Sequence, residues 1–124
     1  MSHQLEWSIV FYLDANGNSP VEEFLDSLDR KALAQIDWAI EQLRIRNVQA
    51  REPFVKHLDG KLWELRRESG GNAYRILYFF FTGRKIVFVN AFQKKTPKIP
   101  QDEIKIAQAR MERFLQQNKK GSER

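Results

Sequence analysis

Leu62-Trp-Glu-Leu-Arg-Arg-Glu68, then Ser69-Gly-Gly-Asn72, then Ala73-Tyr-Arg-Ile-Leu-Tyr-Phe-Phe-Phe81 is the stretch that decides the fold. Two runs rich in aromatic and aliphatic residues flank a turn cluster, which reads as a tight antiparallel hairpin. With Glu68 opposite Ala73, Arg66 faces Arg75, Glu64 faces Leu77 and Trp63 faces Tyr78. Thr82–Lys85 reads as a second tight turn and Ile86–Phe92 as the next strand. Closing that turn with Thr82 opposite Lys85 sets Arg75 against Phe92 and Tyr78 against Val89. Val55–Leu58 precedes as a short strand, so the segment reads as a β-meander.

Strand alternation then gives two surfaces. Trp63, Leu65, Ile76, Tyr78, Phe80, Val87, Val89 and Ala91 form one, apolar throughout and expected to be core. The other carries Arg66, Arg75 and Phe92 at one end and Leu77, Phe79, Phe81, Ile86 and Phe88 towards the other. That second, apolar end is too hydrophobic to stay bare, and a C-terminal helix is its expected cover.

Upstream, Trp7–Leu13 reads as a strand ending in the turn cluster Asp14–Asn18. Ser19-Pro-Val-Glu22 fits a helix start, with Ser19 as cap and Pro20 in the first turn. Val21, Phe24, Leu25 and Leu28 follow at helical spacing. Leu33, Ile36, Ile40 and Leu43 mark a second helix from Asp29 to Arg46, giving a helical hairpin across the sheet. Downstream, Gln93–Ile99 reads as a basic loop. Ile104, Ala107, Met111, Phe114 and Leu115 mark a last helix, with Asp102 and Glu103 in its first turn. The fold class expected is α+β: an N-terminal strand and helical hairpin packed on an antiparallel meander, then a C-terminal helix. Residues 1–118 form one domain and 119–124 a frayed tail.

The chain has 124 residues, 42% of them hydrophobic and 12% aromatic, which suits a folded globule. It has no cysteine, which rules out disulfides and Cys-ligated zinc. The start, Met1–Glu6, lacks a basic segment followed by an apolar run, so no secretory signal is expected. The longest apolar run, Ile76–Phe81, is too short to span a bilayer. A cytoplasmic protein is the expectation, without membrane or cofactor.

Charge is unevenly distributed. Lys56–Lys98 holds 10 Lys/Arg against 3 Asp/Glu, a net +7 within a chain of +5. A positive surface on a sheet implies a polyanionic partner such as RNA or DNA. Arg66 and Arg75 side by side repel by up to about 1 kcal/mol, unless an anion or Glu64 compensates. With Phe92 beside them they suit an unstacked nucleotide: charge for the phosphate and a ring face for the base. Lys94, Lys95 and Lys98 extend the patch. Arg66, Arg75, Glu64, Lys94 and Lys95 are the candidate groups of the anion site; Lys56, Lys61, Phe92 and Lys98 are the candidate RNA contacts. His57 is a weaker acid–base candidate. There is no phosphate-binding glycine loop, paired-histidine metal spacing or nucleophile elbow.

Several stretches carry a family resemblance: Leu62-Trp-Glu-Leu-Arg66, Tyr74-Arg-Ile-Leu-Tyr78, Phe92-Gln-Lys-Lys-Thr-Pro97 and Pro100-Gln-Asp-Glu-Ile104, with Ala107 and Arg110. Together they resemble the RelE/ParE toxin superfamily, and within it the phage-derived, HigB-like branch. The resemblance implies a RelE-like fold and the toxin of a type II toxin–antitoxin system. It implies translation inhibition by mRNA cleavage at the ribosome, without metal, the 2′-hydroxyl attacking the adjacent phosphate. The implied partners are a cognate antitoxin of helix-turn-helix type, the ribosome and mRNA. Arg66 and Arg75 match the strand arginines of the RelE-like pattern, and Lys94 and Lys95 its basic loop. Where RelE-type toxins carry lysines before the first arginine, this chain has Leu62 and Glu64. Glu64 is then either a base or a group that orients the arginines. A ParE-like gyrase-inhibiting toxin and a non-catalytic nucleic-acid-binding module are the alternatives. Arg75→Ala is expected to abolish activity in a folded protein.

Overall fold

The computed structural model describes residues 6–46 and 54–122. The element order is β1 (Ser8–Phe11), α1 (Pro20–Asp26), α2 (Arg30–Arg46), β2 (Val55–Asp59), β3 (Leu62–Ser69), β4 (Asn72–Phe81), β5 (Lys85–Lys94) and α3 (Gln101–Ser122). The fold is α+β: one five-stranded sheet, ordered β1-β5-β4-β3-β2, with helices on both faces. The N-terminal strand does not pack on the meander as a separate layer. It joins the sheet edge, parallel to β5, with Ser8 opposite Lys85 and Phe11 opposite Phe88. The sheet is therefore mixed.

Local chemistry starts the helices as expected. Ser19 Oγ accepts from the Glu22 amide at 3.1 Å, and Asp29 Oδ1 accepts from the Ala32 amide at 2.8 Å. The β3–β4 turn has the expected register, Glu68 opposite Ala73 and Arg66 opposite Arg75. Its two-residue loop needs positive φ twice, met by Gly70 at 59° and Gly71 at 82°.

The second hairpin departs from the expected register halfway along. Arg75 faces Phe92 and Leu77 faces Asn90, but beyond a bulge Tyr78 faces Phe88 and Phe81 faces Lys85. Val89 and Asn90 both fall on the α3 side. Val87 and Val89 consequently pack towards α3, while Ile86 and Phe88 pack under the helical hairpin, the reverse of the expectation. Alternation was silent here because β5 is apolar on both faces, as a sheet covered on both sides requires.

The bulge is stapled to α3. Arg110 Nη1 donates to the Val89 carbonyl at 2.8 Å, and Asn90 Nδ2 donates to the Glu103 carbonyl and Oε1 at 3.0 and 2.8 Å. Asn90→Ala removes these bonds and leaves part-buried partners unpaired. It is expected to cost about 1–3 kcal/mol, seen as a melting temperature lower by roughly 5–10 °C.

Two cores result. Val21, Leu25, Ile36 and Leu43 pack on Leu65, Ile76, Tyr78 and Phe88. On the other face Ala107, Met111 and Phe114 of α3 cover Leu77, Phe79, Val87 and Val89, the covering role expected of that helix. Helix α3 runs to Ser122, and β5 runs two residues past Phe92. Among the described residues no helix is long and apolar enough to cross a membrane.

Candidate functional site

Helix α3 covers only part of its face of the sheet. At the end nearest the β3–β4 turn, strand pairing brings polar residues into rows across the sheet. Glu68, Ala73 and Lys94 form one row, and Arg66, Arg75 and Phe92 the next. Lys56, Glu64, Leu77 and Asn90 form the third. These residues alternate along their strands, so all share the α3 side.

Glu64 is the pivot. It is only 3% exposed and reaches both arginines: Oε1 lies 3.6 Å from Arg66 Nε, and Oε2 lies 3.3 Å from Arg75 Nε. One carboxylate thus separates two guanidinium groups that would otherwise repel. The arginines differ in access. Arg66 keeps 30% of its side chain in solvent, whereas Arg75 is 5% exposed and donates from Nη1 to the Tyr74 carbonyl at 2.9 Å. Burial lowers the Arg75 pKa; Glu64 opposes that shift and Arg66 adds to it. Arg75 Nε has the ion-pair distance to Glu64 but no aligned hydrogen bond.

Arg66 and Arg75 open on a cleft of about 340 Å³, lined also by Phe54, Arg67 and Glu68. Arg67 carries the charge round the end of the sheet to the helical-hairpin side. Its Nη2 donates to Gln35 Oε1, and its guanidinium lies 4.5 Å from the Trp38 ring centroid. Sequence reasoning did not single out Arg67. The available signal was Trp38, an aromatic residue off the apolar stripe of α2.

The expected residues fare unequally. Arg66, Arg75, Glu64 and Lys94 are brought together, and Lys56 joins their face from β2. Lys95 and Lys98 are exposed in the segment from β5 to α3. Phe92 is beside Arg75 as expected, but it is 6% exposed and belongs to the core beneath α3. Its ring face is not open to a base. Lys61 sits in the β2–β3 turn, five residues and roughly 16 Å along the strand from Arg66, too far to share the cleft. His57 pairs with Trp63 on the opposite face, its Nε2 2.7 Å from the Gly60 carbonyl. Among the described residues, no three His, Asp or Glu side chains group as metal ligands.

The site is a strongly cationic sheet end. Arg66, Arg67, Arg75, Lys56, Lys94 and Lys95 stand against Glu64 and Glu68. Residues 23–112 match the model of the family described as phage derived protein Gp49-like (DUF891). The chain belongs to the Gp49-like family. No curated protein is a match to it. The Gp49-like match runs from α1 through most of α3, so it includes every strand of the cationic face.

Proposed function

We propose that this Gp49-like protein is the toxin of a type II toxin–antitoxin pair, of RelE-like fold and allied to its HigB-like branch. It inhibits translation as a ribosome-dependent mRNA endoribonuclease. The observation that carries this reading is the aligned row of Arg66 and Arg75, held by one buried carboxylate and opening on a cleft of small-ligand size. A sheet that needed only to fold gains little from two like charges placed opposite each other.

In the reaction the 2′-oxygen bonds to the adjacent phosphorus and the bond to the 5′-oxygen breaks. The products are a 2′,3′-cyclic phosphate and a 5′-hydroxyl; a proton leaves the 2′-oxygen and one is gained by the 5′-oxygen. Negative charge grows on the non-bridging oxygens in the transition state, and fixed cations act there. Arg66 is the accessible guanidinium and the contact to those oxygens. Lys94 and Lys95 add positive potential at the same end, and Lys56 and Lys98 meet the flanking backbone. Arg75 stands behind Arg66 at the base of the cleft. Glu64 is a positioning residue, since each of its oxygens faces a different guanidinium. Rate enhancement comes from charge placement and from the ribosome holding the message. A helix-turn-helix antitoxin neutralises the protein in the cytoplasm.

Induction in growing cells tests the reading. Growth arrest with messages cut inside their translated frames and chromosomal DNA intact is the expected outcome. Arrest with broken DNA, an induced damage response and whole messages would instead assign a ParE-like attack on gyrase.

A further inference from the structure

The burial of Phe92 leaves the cationic sheet end without an accessible ring there. The cleft acquires one from the other side of the sheet. Phe54 and Arg67 both line it, and both touch Trp38 on α2. The Arg67 guanidinium lies 4.5 Å from the indole centroid, and the Phe54 ring meets the indole edge-on at 5.6 Å. Gln35, one turn earlier on α2, accepts from Arg67 Nη2 and so fixes the guanidinium.

Trp38 is 44% exposed, whereas Trp7 and Trp63 are packed against the core. A single exposed apolar residue is unremarkable on a protein surface. This one is braced on one ring face by a cation, at its edge by a second ring, and is continuous with a cationic cleft. A guanidinium–indole pair is a flat, rigid, polarised layer, and an unpaired base is the ligand whose own π-face stacks on such a layer. Bases inside a duplex offer no free face, so the chemistry selects an unpaired strand, RNA on the reading above.

We propose that Trp38 and Arg67 form a stacking platform for an unpaired nucleobase flanking the phosphate held by Arg66. This rests on the RNA reading of the cleft. Trp38 is a positioning residue: it holds the strand by a base and is tolerant of which base, because every base has a π-face.

The test uses the full chain and a fluorescein-labelled, unstructured oligoribonucleotide, 2′-O-methylated throughout so that it is not cut. Anisotropy at low salt gives Kd, and polyphosphate serves as a ligand with charge but no base. Trp38→Ala and Trp38→Leu should each raise the oligonucleotide Kd roughly tenfold. Trp38→Tyr, which restores a ring, should return it to within about threefold of wild type, and polyphosphate should bind all four proteins alike. The leucine variant keeps apolar bulk against Phe54, so packing loss is separated from loss of the ring. Equal oligonucleotide affinity in wild type and both ring-less variants would overturn the platform and give the Trp38 face to a protein partner. An equal loss for polyphosphate would also overturn it. Either result leaves the cleft reading standing, whereas wild-type protein that bound neither ligand and cut no message would remove both.

Discussion

Glu64→Gln should destabilise the protein by about 3–5 kcal/mol, because it removes the buried carboxylate charge that faces both a buried and a half-buried guanidinium. At this chain length the loss should lower the melting temperature by roughly 10–20 °C. The glutamine keeps the shape of the side chain, so the effect reports charge. A buried ion pair is costly to break and often cheap to replace whole. Glu64→Leu combined with Arg75→Met should therefore recover most of the stability lost in Glu64→Gln, without recovering function. Thermal and urea unfolding of the single and double variants check this. A Glu64→Gln protein as stable as wild type would mean that the carboxylate does not compensate Arg75.

Arg66→Ala should lose about 10²–10³-fold in message cleavage rate, the range observed when one preorganised transition-state donor is removed. Its fold should survive, since an ion pair with 30% of the arginine side chain in solvent contributes at most about 1 kcal/mol. Arg66→Lys keeps the charge but not the planar fork of donors, and should fall between the two proteins. The loss belongs in kcat more than in KM, because the oxygens that Arg66 meets gain charge only as the phosphorane forms. Arg75, the residue that the sequence alone recommends for this experiment, is the wrong one. Its removal leaves buried Glu64 with only the longer contact to Arg66, so a loss of activity in Arg75→Ala would not separate chemistry from stability. A stable Arg66→Ala protein that cleaves as fast as wild type would take the arginine row out of the chemistry.

The hairpin from β3 to β4 was legible because its signals agree. Gly70 and Gly71 fix a two-residue loop, and polar Glu64, Arg66 and Arg75 alternate with Trp63, Leu65, Tyr74 and Ile76 on the two strands. From that register alone the two arginines and Glu64 come to one face. Strand β5 gave no such signal beyond Asn90: Ile86, Val87, Phe88 and Val89 are all buried, so either register buries an apolar set. The bulge is fixed instead by contacts remote in sequence, Asn90 with Glu103 and Arg110 with the Val89 carbonyl. The parallel pairing of β1 is equally non-local, since Trp7–Leu13 announces a strand but not its neighbour. Burial was the hardest quantity to read. Phe92 and Arg75 were placed correctly side by side, yet both lie beneath the surface, and the exposed ring near the site is on α2, more than fifty residues earlier.

The central claim is that the arginine row cuts RNA by stabilising charge on phosphate. A translating extract programmed with one defined message, supplied with the purified wild-type chain, tests it most directly. Primer extension should reveal cuts confined to the translated frame and absent when initiation is blocked. The upstream fragments should end in 2′,3′-cyclic phosphate, and a 2′-deoxy nucleotide placed at a cut site should abolish cleavage there. Messages that stay whole while translation proceeds, or cuts that persist at the deoxy position, would contradict the account.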